Sequence, residues 1–221
     1  MKKVKEEWLQ LCILAAPFCV AALLWDKLPE RMPIHWNAHG QVDGYAGKGF
    51  AAFFVPCLNI AMTALIFVLG LVDPRIRKYE PETRAQLLRT VKLVRLAISG
   101  FLCVAGLTVL AIGAGLAFDM SRVMWVGMSF LLLVIGNLMG KLRPNYFIGV
   151  RTPWTLESTD VWTKTHRLAG KVMVIGSLVV LAGSFVLPPV VQAWFAVVTI
   201  VVIAFVPLIY SYVIYKRRQA A

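Results

Sequence analysis

Five stretches of this chain, residues 8–25, 49–72, 96–118, 123–140 and 172–215, contain no charged side chain. A helix needs about 20 apolar residues to cross a hydrocarbon core roughly 30 Å thick. The first four stretches each match one crossing and the last matches two. Pro188-Pro189 divides that last stretch, because proline cannot continue a helix through its interior. The pattern therefore predicts an all-α integral membrane protein with six transmembrane helices, at about 8–25, 50–72, 93–117, 123–140, 167–187 and 190–215. The fifth helix is expected to begin inside the preceding loop, and Thr83 to Lys92 to run as helix into the third span. The chain organises as 1–72, 73–122, 123–187 and 188–221. Gly136 with Gly140 in span four, and Ala111 with Gly115 and Gly113 with Ala117 in span three, are small-residue pairs that mark expected helix contacts.

Composition agrees. The chain is 59% hydrophobic and 15% charged, with a mean hydropathy of +0.74, which is far from soluble-domain usage. The first run follows Lys2, Lys3 and Lys5 as a secretory signal would, but it continues through Leu23, Leu24 and Trp25 and is read as an uncleaved span. Cys12, Cys19, Cys57 and Cys103 all fall in spans, without metal-ligand spacing, and read as small buried hydrophobes.

The net charge of +12 is distributed in a way that excludes direct nucleic-acid binding. Of 23 Lys and Arg, only Lys27, Arg31, Lys48 and Arg122 fall on one side of the predicted topology. The other nineteen lie at the two termini and in loops 73–95 and 141–171. The positive-inside rule places both termini and these two loops in the cytoplasm, against anionic lipid headgroups.

Loop 141–169 is the candidate for function. Asn145, Arg151, Thr152 and Thr155 are interleaved there with Tyr146, Phe147 and Trp154. Arg143 and Thr152 both precede proline, which favours extended backbone. Such backbone at a membrane surface needs side-chain or protein partners, so a structured cap under the bundle is expected. Ser158 reads as an N-cap with Asp160 in the first turn. The helix that follows carries Trp162, His166 and Gly170 on one face and Lys164, Arg167 and Lys171 on another. Residues 159–171 read equally well as an interfacial helix whose Trp162 anchors in the headgroup layer. In the outer loop 26–49, His35, His39 and Asp43 would suit a metal on a helix, but Asn37, Gly40 and Gly44 argue against one. The histidines read as surface-loop residues, and no metal or cofactor is expected.

Asn145 to Leu156, Val161-Trp162 and Thr165 to Gly170 together resemble the signature of the SdpI family of bacterial multi-pass membrane proteins. Asn145, Tyr146, Gly149, Arg151, Thr152, Pro153, Trp154, Thr155, Trp162, Thr165 and His166 occupy matching positions. Leu28-Pro29, Pro33 to Asn37, Gly40, Asp43 to Tyr45, Lys48 and Pro56 resemble the uncharacterised domain that often precedes it. The resemblance implies immunity to a secreted, membrane-active toxic peptide, and signalling through capture of a cytoplasmic transcriptional repressor. It implies binding rather than catalysis. The sequence itself shows no G-x-S-x-G, no H-E-x-x-H and no acid pair inside a span. The rival reading is a small exporter of an amphipathic peptide or lipid, which would need a polar cavity in the bundle.

Overall fold

A computed structural model describes residues 2–219, with side chains described from Glu7 onward. The side chains of Lys2, Lys3 and Lys5, which enter the charge argument, lie outside the described residues. The long helices are α1 (Lys2–Leu24), α2 (Lys48–Val72), α4 (Pro81–Gly113), α5 (Met120–Met139), α7 (Thr159–Val186) and α8 (Pro189–Gln219). All six are long and apolar enough to cross a membrane. Two short helices, α3 (Pro74–Lys78) and α6 (Pro153–Glu157), lie in the connections. As expected, α7 begins inside the preceding loop, α4 includes 83–92, and the α7–α8 break falls at Leu187-Pro188.

The fold departs from an all-α expectation in one place. Strands β1 (Arg31–Trp36) and β2 (Val42–Gly47) form an antiparallel hairpin in the loop between α1 and α2. Pro33, Gly44 and Gly47 hide the strands from propensity. Tertiary packing supplies what propensity lacks. Met32 is fully buried with Leu28, Ala21, Ala51, Ala52, Val109, Leu110 and Met120, which pins the hairpin onto the ends of α1, α2, α4 and α5. Gly113 lies directly against the Met32 side chain. Gly113 therefore seats the hairpin rather than a second helix, contrary to its reading as a helix contact, while Gly115 and Ala117 lie past the end of α4.

The helices pack as two groups of three. In the first, α1, α2 and α4 are joined by amides and hydroxyls. Gln10 Nε2 donates to Ser99 Oγ at 2.7 Å and Asn59 Nδ2 to the Ser99 carbonyl at 2.9 Å. Arg95, at the start of the third span, is buried in α4 and paired with Glu7 of α1. Its charge is tolerated because the pair forms at the basic end of the bundle, where Lys92 also reaches Glu7 at 3.1 Å. In the second group, α5, α7 and α8 rely on close approach. A Cβ on Gly170 would stand 2.7 Å from the Gly136 carbonyl oxygen, and a Cβ on Gly136 would stand 2.9 Å from Met173 Cβ. Gln192 Nε2 adds a bond to Ser184 Oγ at 2.8 Å between α7 and α8. Contacts between α4 and α5 join the two groups. The outward faces carry large exposed apolar side chains such as Val186, Trp194, Phe185 and Ile175. In water such a surface would drive aggregation, whereas in lipid it is the solvated face.

The two glycine contacts are therefore a stability determinant. Gly170→Ala should destabilise the protein by about 1–3 kcal/mol, since overpacking against backbone cannot relax. Gly100→Ala, with open space around it, should be neutral or stabilising by up to about 1 kcal/mol. Unfolding in mixed micelles, followed by circular dichroism, measures both.

Candidate functional site

The connection between α5 and α7 leaves regular structure for thirteen residues, 140–152, before α6. Its backbone groups cannot all rely on water, so side chains take them up. Asn145 is the centre. Its Oδ1 accepts from the N–H of Phe147 at 3.0 Å and of Ile148 at 2.7 Å. Its Nδ2 donates to the carbonyls of Arg143 and Ile148, each at 3.0 Å. One buried amide thus uses all four of its hydrogen-bonding positions to fold the turn.

Asp73 does the same work from the other connection. It caps α3, accepting at Oδ1 from Arg75 N–H at 2.8 Å and Ile76 N–H at 3.2 Å. Its Oδ2 accepts from Tyr146 N–H at 2.7 Å, which fastens the α2–α4 loop to the α5–α7 loop. The carboxylate is fully buried, and three backbone donors replace its hydration. Arg75 donates to the Leu156 carbonyl at 2.7 Å and lies 4.5 Å over the Tyr146 ring. Tyr79 donates its hydroxyl to the Pro144 carbonyl at 2.8 Å. Burial raises the pKa of that phenol, partly offset by Arg75 and Arg143, so the hydroxyl remains a donor.

The α7 end of the cap is closed by His166. Val150 N–H donates to its Nε2 at 3.0 Å, so the proton sits on Nδ1, which donates to the Trp162 carbonyl at 2.8 Å. The imidazole stacks on Trp162 with centroids 4.0 Å apart. Trp162 donates from Nε1 to the Leu142 carbonyl at 2.9 Å. Trp162 is wholly buried, which overturns its reading as a headgroup anchor. The exposed face of this helix is the basic one, Lys164, Arg167 and Lys171. Gly149 has a φ of +109°, and a Cβ there would overlap His166 Nε2, so both backbone freedom and space exclude a side chain. Thr152 and Thr155 close a reciprocal capping box at the start of α6, and Thr155 Oγ1 also donates to the Val150 carbonyl at 3.0 Å. Ser158 caps α7 as read, accepting from Val161 N–H at 3.3 Å.

The cap is also tied to α8. Trp154 donates from Nε1 to Ser211 Oγ at 2.5 Å and meets the Tyr212 ring edge-on at 5.3 Å. Tyr215 donates to Glu157 at 2.6 Å, and Arg218 to Ser158. The structure thus brings Asn145, Thr152, Thr155, Trp162, Thr165 and His166 into one buried cluster, with Gly149 half-buried against His166. Tyr146, Arg151 and Pro153 are left on its surface. Arg151 bonds the Tyr146 carbonyl at 2.8 Å. Asp73, Arg75, Tyr79 and Ser211 escaped the sequence reading. Asp73-Pro74 directly after a span, an N-cap followed by proline at the first helical position, was the available signal for the first.

The hairpin forms a second, separate site at the other end of the bundle. His35 and Asp43 face each other across the strands, with Nδ1 and Oδ1 2.5 Å apart. His39 is not part of that pair; its N–H donates to Asn37 Oδ1 at 2.9 Å in the turn, which also receives Gln41 N–H at 3.1 Å. Gly40, at φ +77°, makes the turn beside Ser121, and Gly44 passes against His35. Beneath the hairpin lies a cavity of about 420 Å³. Its walls are apolar, from Val55, Leu58, Val109, Met124 and Trp125, and its rim carries His35 and Asn37.

These features define a multi-pass helical membrane protein with a folded polar cap at one end and an apolar cavity under a hairpin at the other. Residues 141–211 match the SdpI/YfhL protein family, and residues 12–60 match a domain of unknown function, DUF1648. The C-terminal region of this bacterial membrane protein is thus similar to the SdpI/YfhL family, and the N-terminal region is similar to DUF1648. The immunity protein SdpI of Bacillus subtilis (strain 168) is 26% identical over 182 residues, covering 82% of this chain and 83% of its own. No solved structure matches the chain.

Asn145→Ala should cost about 2 kcal/mol or more by orphaning buried N–H groups, and Gly149→Ala should prevent the cap from closing. Arg151→Ala, on the surface, should stay within about 0.5–1 kcal/mol of the parent. Thermal unfolding in detergent ranks the three.

Proposed function

We propose that this protein protects the cell that carries it against a membrane-active toxic peptide, and that it does so by binding. The observation that carries the reading is the apolar cavity beneath the hairpin, rimmed by His35 and Asn37, in a chain related over most of its length to an immunity protein. Lys and Arg are concentrated at the opposite end, so the positive-inside rule puts the cap and both termini in the cytoplasm and the hairpin outside. A secreted peptide would then meet the hairpin first. Apolar walls with a polar rim suit an amphipathic segment.

Two observations favour binding over coupled transport. The amide N–H groups of Gln10 and Asn59 are spent on interhelical bonds. The Glu7–Arg95 pair lies at the basic end rather than along a path through the bundle. The motif residues have a supporting role in this reading: the polar groups of Asn145, Thr152, Thr155 and His166 are engaged within the cap, and Trp154 ties it to α8. The surface they present, with Tyr146 and Arg151, is where a cytoplasmic regulator would dock.

In a toxin-sensitive host challenged with a sporulation-delay-type peptide, Ile34→Asp and Leu58→Asp should lower the protective concentration range at least about tenfold at equal expression, equivalent to losing a contact worth about 1.4 kcal/mol. Arg151→Ala should leave survival unchanged. Full protection by both cavity variants would refute the reading. In a cysteine-free background, Ala38→Cys should react with a membrane-impermeant maleimide in intact cells, and Pro153→Cys should react only after permeabilisation. The reverse pattern would invert the topology.

A further inference from the structure

At the basic end, outside the motif cluster, a second cavity of about 510 Å³ opens between α4, the end of α5 and α7. Four cationic side chains line it: Arg89, Lys141, Arg143 and Arg167. No Asp or Glu lines it, and none of the four forms an ion pair among the described residues. Like charges gathered in one concavity repel and are stabilised by a bound counter-anion. The geometry is fixed by the cap. The carbonyl of Arg143 is held by Asn145 and that of Leu142 by Trp162, so the backbone that carries Lys141 and Arg143 is rigid. Thr90, Thr163 and Gln86 add neutral polar groups to the same wall.

The position of this cavity along the bundle says what kind of anion it takes. The uncharged runs of α4 and α7 begin at residues 96 and 172, and that of α5 ends at 140. All four cations therefore stand just past the hydrocarbon boundary, at the level of lipid phosphates. Leu93, which is exposed, and Leu138 border the cavity, so an acyl chain can leave it along an apolar path. We propose that this cavity binds the phosphate-bearing headgroup of an anionic phospholipid of the surrounding leaflet. Arg89 and Arg167 come from α4 and α7, and Lys141 and Arg143 from the segment after α5, so the bound lipid bridges the two helix groups. The inference is independent of toxin binding.

The test uses the full chain, delipidated in neutral detergent, with phosphatidylglycerol or phosphatidylcholine added to the micelles and retained lipid counted by native mass spectrometry. The protein should retain phosphatidylglycerol and not phosphatidylcholine, and should be thermally stabilised by the former alone. Arg89→Gln and Arg143→Gln should each weaken retention about fivefold, as expected for one cation near a headgroup. Rising salt should weaken retention further. Arg122→Gln, at the hairpin end, should retain lipid as the parent does. Equal retention of both lipids by the parent would overturn the proposal and leave an acidic protein surface as the occupant. Displacement of phosphatidylglycerol by millimolar inorganic phosphate would overturn it in favour of a free phosphate site. Because the comparison of lipids is made on the parent chain, a misfolded variant does not obscure the result.

Discussion

In hydrocarbon there is no water to take up an unpaired peptide group, and every other feature of this protein follows from that constraint. Over six segments the chain meets it with helices, whose hydrogen bonds are internal. Where the chain must turn around between α5 and α7 it cannot do so, and the polar groups of Asn145, Asp73, Thr152, Thr155 and His166 substitute for the missing partners. The cap is in this sense an extension of the helix ladder by other means. Its members act together: His166 can accept from Val150 only because Gly149 leaves room, and Asp73 holds Tyr146 in the turn that Asn145 folds.

The same solvent changes what holds helices together. Apolar side chains gain little by facing another helix rather than a lipid tail, so contact quality decides. The Gly136–Gly170 approach allows dispersion along the whole α5–α7 interface, and α1, α2 and α4 instead use a small number of buried amides and hydroxyls. The two kinds of interface extend beyond the two matched regions: the DUF1648 match covers the second half of α1, the hairpin and the start of α2, and the SdpI/YfhL match covers the cap, α7 and most of α8. The α4–α5 contact joins the two helix groups, and both of these helices lie outside the two matches.

Charge then gives the bundle its direction. The hairpin end carries few cations and an apolar cavity; the cap end carries most of them and a cavity without acids. A polar cap with its own hydrogen bonds satisfied is rigid, and rigidity is what allows its surface to present arginine and lysine at a fixed depth in the membrane. Buried and exposed side chains thus divide the work within one loop: the buried ones set its shape, and the exposed ones form its surface.

How much of this could be read from the residues depends on the range of the interactions involved. Helix number, the Pro188-Pro189 break, the early start of α7 and the Ser158 cap are written in hydropathy and local chemistry, because lipid imposes a length and helix ends impose a capping group. The motif residues could be named as a set, but not their roles: burial of Trp162 depends on Leu142, twenty positions earlier, and Tyr146 on Asp73, seventy-three earlier. The hairpin was invisible to propensity since its strands contain proline and glycine and are stabilised by Met32 packing against four helices. Sequence by itself determined the solvent, the spans and the charge asymmetry, which are sums over local terms. Only the tertiary structure decided which polar groups are spent and which are free, because a hydrogen bond across the fold has no local signature.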